Sequence, residues 1–289
     1  MENNVYRRVR EYYYGIDIIG QDLGMEYLFS QFSKIKELLR NKFILLLLDY
    51  DGTLTPIVKT PSKAVIHKNT KELLQKLSRS FYCKIGILSG RKLEDIKNIV
   101  GIGGIVYAGN HGLEIEGAKI KFKSQVTSRL KSIIRNIAKD MQKRLSGIKG
   151  ALVEDKGLTL SIHYRLVDKK DMPVFEKIIS EVTSPYIARN KIKVNAGKKV
   201  YEIKPPVKWD KGKAALWFLA RQQFILGVKN ALPVYIGDDI TDEDAFKALK
   251  RKGLTVFVGK SGSSKADYYL KNTEEVAKFL RSILALQYS

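Results

Sequence analysis

The stretch FILLLLDYDGTLTPIV, residues 43–58, decides the fold. An apolar run over 43–48 leads straight into Asp49 and Asp51, with Gly52 and Thr53 behind them. A run this short, stopped by a Gly- and Pro-bearing turn, reads as a buried strand. Charged groups at the edge of a core are costly unless something binds them.

Outward from this strand the pattern repeats. Residues 69–79 read as a helix capped by Asn69 or Thr70, CKIGILSG as a second strand, KLEDIKNIV as a helix and GIVYAGNHG as a third strand and turn. Strands alternating with helices predict a parallel sheet with crossover helices. The pattern then changes to a basic amphipathic helix over 126–145, strands around a turn at Lys156–Gly157, a helix over 171–183 and two short strands in KIKVNAGKKVYEIKP. From Lys211 the first pattern resumes, with helices at 211–224, 241–251 and 273–284 and strands in LPVYIGDD and LTVFVG. Leu28, Phe32, Ile35, Leu38 and Leu39 stand at helical spacing. The expected fold is α/β, a Rossmann-like parallel-sheet core with an inserted α+β cap. The expected division is an N-terminal helical extension over 1–41, a core of 42–117 and 204–289, and a cap over 118–203, with hinges near 116–119 and 203–205.

Composition narrows the function classes. The chain has 289 residues and 44 % hydrophobic content, which supports a packed core and excludes global disorder. The run at 43–48 is too short to span a bilayer, and the first residues lack the apolar stretch of a signal peptide. The single cysteine, Cys83, lies in an apolar context and reads as a small core residue. A cytoplasmic protein is the expectation, with no membrane partner. The net charge of +22 is compatible with nucleic acid or anionic substrates. Because Lys and Arg are spread along the whole chain, a solvated surface is the expected reading, and no nucleic-acid partner. A calcium loop fails at DYDGTLTPIVKT, where glycine falls one position after Asp51 and the twelfth residue is Thr60. GLTVFVGKS has the wrong glycine spacing for a phosphate-binding loop, and His67, His111 and His163 have no zinc spacing.

One constellation survives. Four polar signals fall at strand ends: Asp49 to Thr53, Ser89-Gly90-Arg91, Asn110-His111-Gly112, and Gly237 to Glu243. In a parallel sheet ligands bind outside those ends. Several carboxylates in one crevice cannot all stay ionised alone, and a hard cation such as Mg²⁺ resolves this. Helix capping is the competing account for any one aspartate, but it does not require two doublets around one sheet.

Asp49-x-Asp51-Gly-Thr, Ser89, a Lys-Gly at Lys211 and GDDITDEDAF resemble the haloacid-dehalogenase-like (HAD) phosphatases. With DYDGTLTPI, SGR and GNHG the chain more closely resembles the trehalose-6-phosphate phosphatases over about 43–284. The resemblance implies a phosphoric monoester hydrolase acting on trehalose 6-phosphate. Asp49 would be the nucleophile and Asp51 the acid and base; the Asp-x-Asp spacing alone does not separate these roles. Mg²⁺ would be held by Asp49, Asp51, Asp238 and Asp242. Ser89 and Lys211 would hold the phosphate. Arg91 is either a phosphate-side residue or a surface charge at a helix end. Asn110 and His111 are carried over as substrate-binding positions. The cap residues Glu154, Lys156 and Glu202 would bind the distal glucose. A trehalose-6-phosphate synthase stands as a candidate partner. The alternatives are a phosphatase for sucrose phosphate or a glycosyl-3-phosphoglycerate and, more distantly, a basic nucleic-acid-binding or regulatory protein on this fold.

Overall fold

The computed structural model describes residues 24–286 except 59, 118, 229, 260 and 261. Residues 1–23, the larger part of the expected N-terminal extension, lie outside the described residues. The described chain opens with β1 (Glu26–Tyr27), α1 (Phe32–Leu39), β2 (Ile44–Leu48), α2 (Lys68–Arg79), β3 (Cys83–Leu88), α3 (Leu93–Val100), β4 (Val106–Gly109), β5 (Glu114–Gly117) and β6 (Ile120–Lys123). It continues through α4 (Ser128–Leu145), β7 (Leu152–Asp155), β8 (Leu160–His163), α5 (Met172–Ala188), β9 (Lys193–Gly197) and β10 (Val200–Lys204). It closes with α6 (Lys211–Leu226), β11 (Leu232–Gly237), α7 (Glu243–Leu249), β12 (Leu254–Val258), β13 (Tyr268–Leu270) and α8 (Thr273–Leu286).

A nine-stranded sheet runs in the order β1-β13-β12-β11-β2-β3-β4-β5-β6. Pairing is parallel from β1 to β4 and antiparallel across β5 and β6. The central strand β2 explains the opening stretch. Ile44, Leu46 and Leu48 face a cluster that includes Ile35, Leu74, Ile96 and Phe279 from α1, α2, α3 and α8. Leu45 and Leu47 face Phe218 of α6 and Phe246 of α7. A strand covered on both faces needs no polar alternation. Each fully buried leucine contributes on the order of 2 kcal/mol by leaving water.

Two local expectations are corrected. The helical spacing from Leu28 to Leu39 becomes an α-helix only from Phe32, because Glu26 and Tyr27 pair with β13 and a short 3₁₀ turn, Leu28–Gln31, follows. Tyr27 also donates to Glu275 at 2.8 Å. Tertiary pairing overrides the helical spacing here. The cap of α2 is His67, whose Nδ1 accepts from the Asn69 N–H at 3.3 Å, rather than Asn69 or Thr70.

A second, antiparallel sheet has the order β7-β8-β10-β9. Ile134 and Met141 of α4 and Phe175 of α5 pack on Leu160, Ile162 and Ile203 from its strands, giving this unit its own core. Strand pairing of the large sheet runs to Lys123 and that of the small sheet to Lys204. We place the inserted unit at about residues 124–204 on that basis, against 118–203 from the sequence.

Candidate active site

β2 and β11 are neighbours, and the chain leaves them in opposite directions, β2 toward β3 and β11 toward β12. A crevice forms at such a reversal, outside the carboxyl ends of the strands. Asp49 follows β2 and Asp238 follows β11, and the Asp49 N–H donates to the Ile236 carbonyl at 2.9 Å. The turn behind Asp49 needs Gly52. Its φ is +93°, and a Cβ there would lie 2.2 Å from Oδ2 of Asp238.

Carboxylate oxygens of the buried Asp49, Asp238 and Asp242 lie within 4.8 Å of one another. Lys211, at the first position of α6, donates from Nζ to Oδ1 of Asp49 and Oδ1 of Asp242, both at 2.7 Å. The Tyr235 hydroxyl donates to the same Asp242 oxygen at 2.7 Å. The other Asp242 oxygen accepts the backbone N–H groups of Asp238 and Asp239 at 3.0 Å each. Asp239 caps the following turn through Ile240 N–H at 2.7 Å. Capping therefore accounts for Asp239 and one oxygen of Asp242, but not for Asp49 or Asp238.

The electrostatics follow from burial. Loss of water pushes the Asp49 carboxyl well above the usual range; Asp242 and Asp238 add to the rise and Lys211 opposes it. Burial also pushes Asp238 up to about 6, against Lys198. Lys211 moves well above the lysine range because Asp242 and Asp49 outweigh its own desolvation. Oδ1 of Asp238 is buried and has no hydrogen-bond partner among the described residues. An orphaned carboxylate oxygen beside two more carboxylates is a donor set for a hard divalent cation, so these residues can hold a metal ion.

Arg91 lies apart from the surface position that one of its two readings gave it. It is buried, donating from Nε and Nη2 to the two oxygens of Asp51 at 2.7 and 2.6 Å and from Nη2 to the Pro61 carbonyl at 2.8 Å. It is no surface charge. Ser89 is buried, and its Oγ accepts the Arg91 N–H at 3.1 Å, leaving its own proton for another acceptor.

The inserted unit closes over these groups. Lys156 reaches from the β7–β8 turn to the Gly90 carbonyl at 2.8 Å. Glu202 of β10 meets Nε2 of His111 at 2.9 Å. Burial lowers His111 to about 4, so it is a neutral imidazole donating to a carboxylate. Burial opposes ionisation of Glu202, but His111, Lys204 and Lys156 hold it well below the carboxylate range. Glu154 accepts from His163 at 2.8 Å. Asn110 and His111 both take left-handed backbone, φ +51° and +58°, an arrangement that stores strain at a site. It is held by the Asn110 N–H on the Arg91 carbonyl at 2.7 Å and the His111 N–H on the Ser89 carbonyl at 2.9 Å.

Asp49, Asp51, Arg91, His111, Glu154, Lys156, Glu202, Lys211 and Asp238 line one cavity of about 170 Å³. Ser89, Asn110 and Asp242 do not. The Asn110 side chain instead accepts from Thr159 at 2.8 Å and donates to Glu114 at 3.1 Å, joining the two units. Lys198, which sequence reading passed over, lines the cavity from the β9–β10 turn. It donates to Oδ2 of Asp238 at 2.5 Å and to the Asp238 carbonyl at 2.7 Å. Its only signal in the sequence is the Lys198-Lys199 pair after a turn glycine. Among the described residues no helix is long and apolar enough to cross a membrane.

The family model for trehalose-phosphatase matches residues 47–274. The chain is 36 % identical over 270 residues to trehalose-phosphate phosphatase B of Arabidopsis thaliana, covering 88 % of this chain and 70 % of the relative. It is 35 % identical to probable trehalose-phosphate phosphatase D of the same plant, over 88 % of this chain and 71 % of the relative. In fold it is similar to the C-terminal domain of trehalose-6-phosphate phosphatase from C. albicans, with TM-score 0.74, 22 % identity and coverage of 92 % and 99 %. A haloacid dehalogenase-like hydrolase from Bacteroides thetaiotaomicron is similar at TM-score 0.59 and 18 % identity, over 84 % of this chain and 100 % of that one.

Proposed function

The chain belongs to the trehalose-phosphatase family, and on that premise we propose that it hydrolyses trehalose 6-phosphate to trehalose and phosphate, with Mg²⁺, through a phospho-aspartate at Asp49. The observation that carries the reading is Asp49, Lys211 and Asp238 facing Glu154, Lys156, Lys198 and Glu202 across one cavity, with Asp242 behind Lys211.

In the first step an Asp49 oxygen bonds to phosphorus as the phosphorus–oxygen bond to the sugar breaks, and Asp51 gives its proton to the departing oxygen. In the second step water attacks the phosphorus of the phospho-aspartate, loses a proton to Asp51, and phosphate leaves with Asp49 restored. The salt bridge from Arg91 must loosen for Asp51 to reach the leaving oxygen. Lys211 neutralises the phosphoryl group and Ser89 donates to one of its oxygens. Asp49, Asp238 and the Asp51 carbonyl would hold Mg²⁺, with Asp242 supporting through Lys211 and the backbone. When bound, the ion offsets the charge gathered on the phosphoryl oxygens.

Glu154, Lys156 and Glu202 select the sugar through charge-assisted hydrogen bonds to hydroxyls, with His111 orienting Glu202. Asn110 joins the units rather than touching substrate. The cavity of about 170 Å³ is smaller than the usual ligand pocket of roughly 300–1,000 Å³, so the inserted unit must swing outward to admit the sugar. A cytoplasmic location and a trehalose-6-phosphate synthase as supplier of the substrate complete the reading.

The test is phosphate release from a panel of sugar phosphates, with Mg²⁺ and with chelator. Metal-dependent release from trehalose 6-phosphate ahead of sucrose phosphate and glycosyl-3-phosphoglycerate is expected. Glu154→Gln should lower turnover of trehalose 6-phosphate and spare an aryl phosphate; an equal loss on both would remove Glu154 from sugar selection.

A further inference from the structure

A second cavity of about 770 Å³ adjoins the first, with His111, Lys211 and Thr241 lining both. It lies at the junction of the two units, since Lys193 and Lys204 come from the inserted sheet and Lys247 from α7. Its volume falls within the roughly 300–1,000 Å³ of small-molecule sites. Of its lining, the reaction described above uses only the shared Lys211 and His111.

The lining is strongly basic. Besides Lys211 it holds Lys193, Lys204, Lys208, Lys213, Lys247 and Lys265, against three carboxylates, Asp210, Glu243 and Asp244. Two of these carboxylates are engaged. Glu243 accepts from the Ser264 hydroxyl at 2.6 Å and the Lys265 N–H at 2.8 Å. Asp210 caps α6 and faces Lys213 at 3.7 Å. Lys204 is paired with Glu202 at 2.7 Å. Among the described residues the ammonium groups of Lys193, Lys208, Lys247 and Lys265 pair with no carboxylate within 4.0 Å. These four come from four separate segments and converge on one cleft. Such a concavity concentrates positive potential and is stabilised by an anion.

We propose that this cleft binds a small phosphate-bearing molecule with two or more negative charges, held by Lys193 of the inserted unit and by Lys208, Lys247 and Lys265 of the core. The site is distinct from the catalytic one, because none of these four lines the first cavity. An occupant ties the inserted unit to the core. Trp209 lines this cavity and not the first, which makes its indole a local reporter.

The probe is pyrophosphate, titrated into the full chain in chelator. Calorimetry on the native chain counts the sites, and a Trp217→Phe variant isolates the Trp209 signal. We expect a fluorescence response that Lys247→Ala with Lys265→Ala weakens by about tenfold or more, as the loss of charge-assisted contacts predicts. Arg165→Ala, on a side chain that lines the first cavity and not the second, leaves that response unchanged. The affinity of this site falls as salt rises. A single site weakened by Arg165→Ala and indifferent to the double lysine variant overturns the proposal, as does the absence of any binding.

Discussion

At the residue scale the centre is one buried cation between two buried carboxylates. Lys211 is 3 % exposed and Asp49 5 %, so neither is solvated when its partner is lost. Lys211→Met should cost about 3–5 kcal/mol in metal-free buffer, the range for breaking a buried pair. Asp49→Asn combined with Lys211→Met should cost less than the sum of the two changes, because the orphaned charge goes with its partner. Denaturant unfolding of the four proteins in chelator measures the coupling, and additive losses would show that the pair is not energetically coupled. Asp49 and Asp238 were legible in the sequence because they follow apolar strands, whereas Lys211 was reached through the resemblance of its Lys-Gly. Arg91 was not legible, since nothing local tells a helix-end arginine on the surface from one folded back onto Asp51.

At the scale of elements two turns matter. The turn after β2 depends on Gly52. Gly52→Ala forces the left-handed backbone on an alanine and pushes the new methyl into the Asp238 carboxylate, so a stability loss of about 1–3 kcal/mol is expected. Phosphate release should fall with it, since Asp238 must move. The β9–β10 turn carries Lys198 onto Asp238, and we expect this ion pair to act as a latch between the inserted unit and the core. Adding Mg²⁺ should compete with Lys198 and speed hydrogen exchange at residues 198–200, while Lys198→Ala should show the fast exchange without metal. Unchanged exchange in both experiments would remove the latch. Sequence periodicity located most elements, but not β1, whose two residues become a strand only against β13. It also stopped short of Lys198, because a turn lysine acquires meaning only from what lies across the interface.

At the scale of the whole molecule, closure buries a histidine that titrates. His111 sits at about 4 when folded against about 6.5 in an unfolded chain. Between those values the unfolded chain binds more protons, so stability falls as the pH drops from about 6.5 to 4, by on the order of 3 kcal/mol from this group. Asp238, raised to about 6, works in the opposite direction, gaining stability as the pH falls below that value. The net curve is therefore a sum, and the informative comparison is His111→Asn, an asparagine being tolerant of the left-handed backbone at this position. In chelator the Tm difference between variant and parent should shift in favour of the variant as the pH falls from about 6.5 to 4. A constant difference would mean that His111 is not buried neutral.

The sequence alone determined the α/β core, its interruption by a second unit, and the strand ends where carboxylates gather. Those features follow from local periodicity and from apolar runs that stop at charged turns, which are written residue by residue. Only the tertiary structure decided that Arg91 grips Asp51, that Asn110 joins the units, that Lys198 reaches Asp238 from the inserted unit, and that lysines from four segments share one cleft. The physical reason is common to all four. Charge pairing and desolvation depend on distances between segments far apart in the chain, and those distances exist only after the sheet has ordered β2 beside β11 and the inserted unit has closed over them.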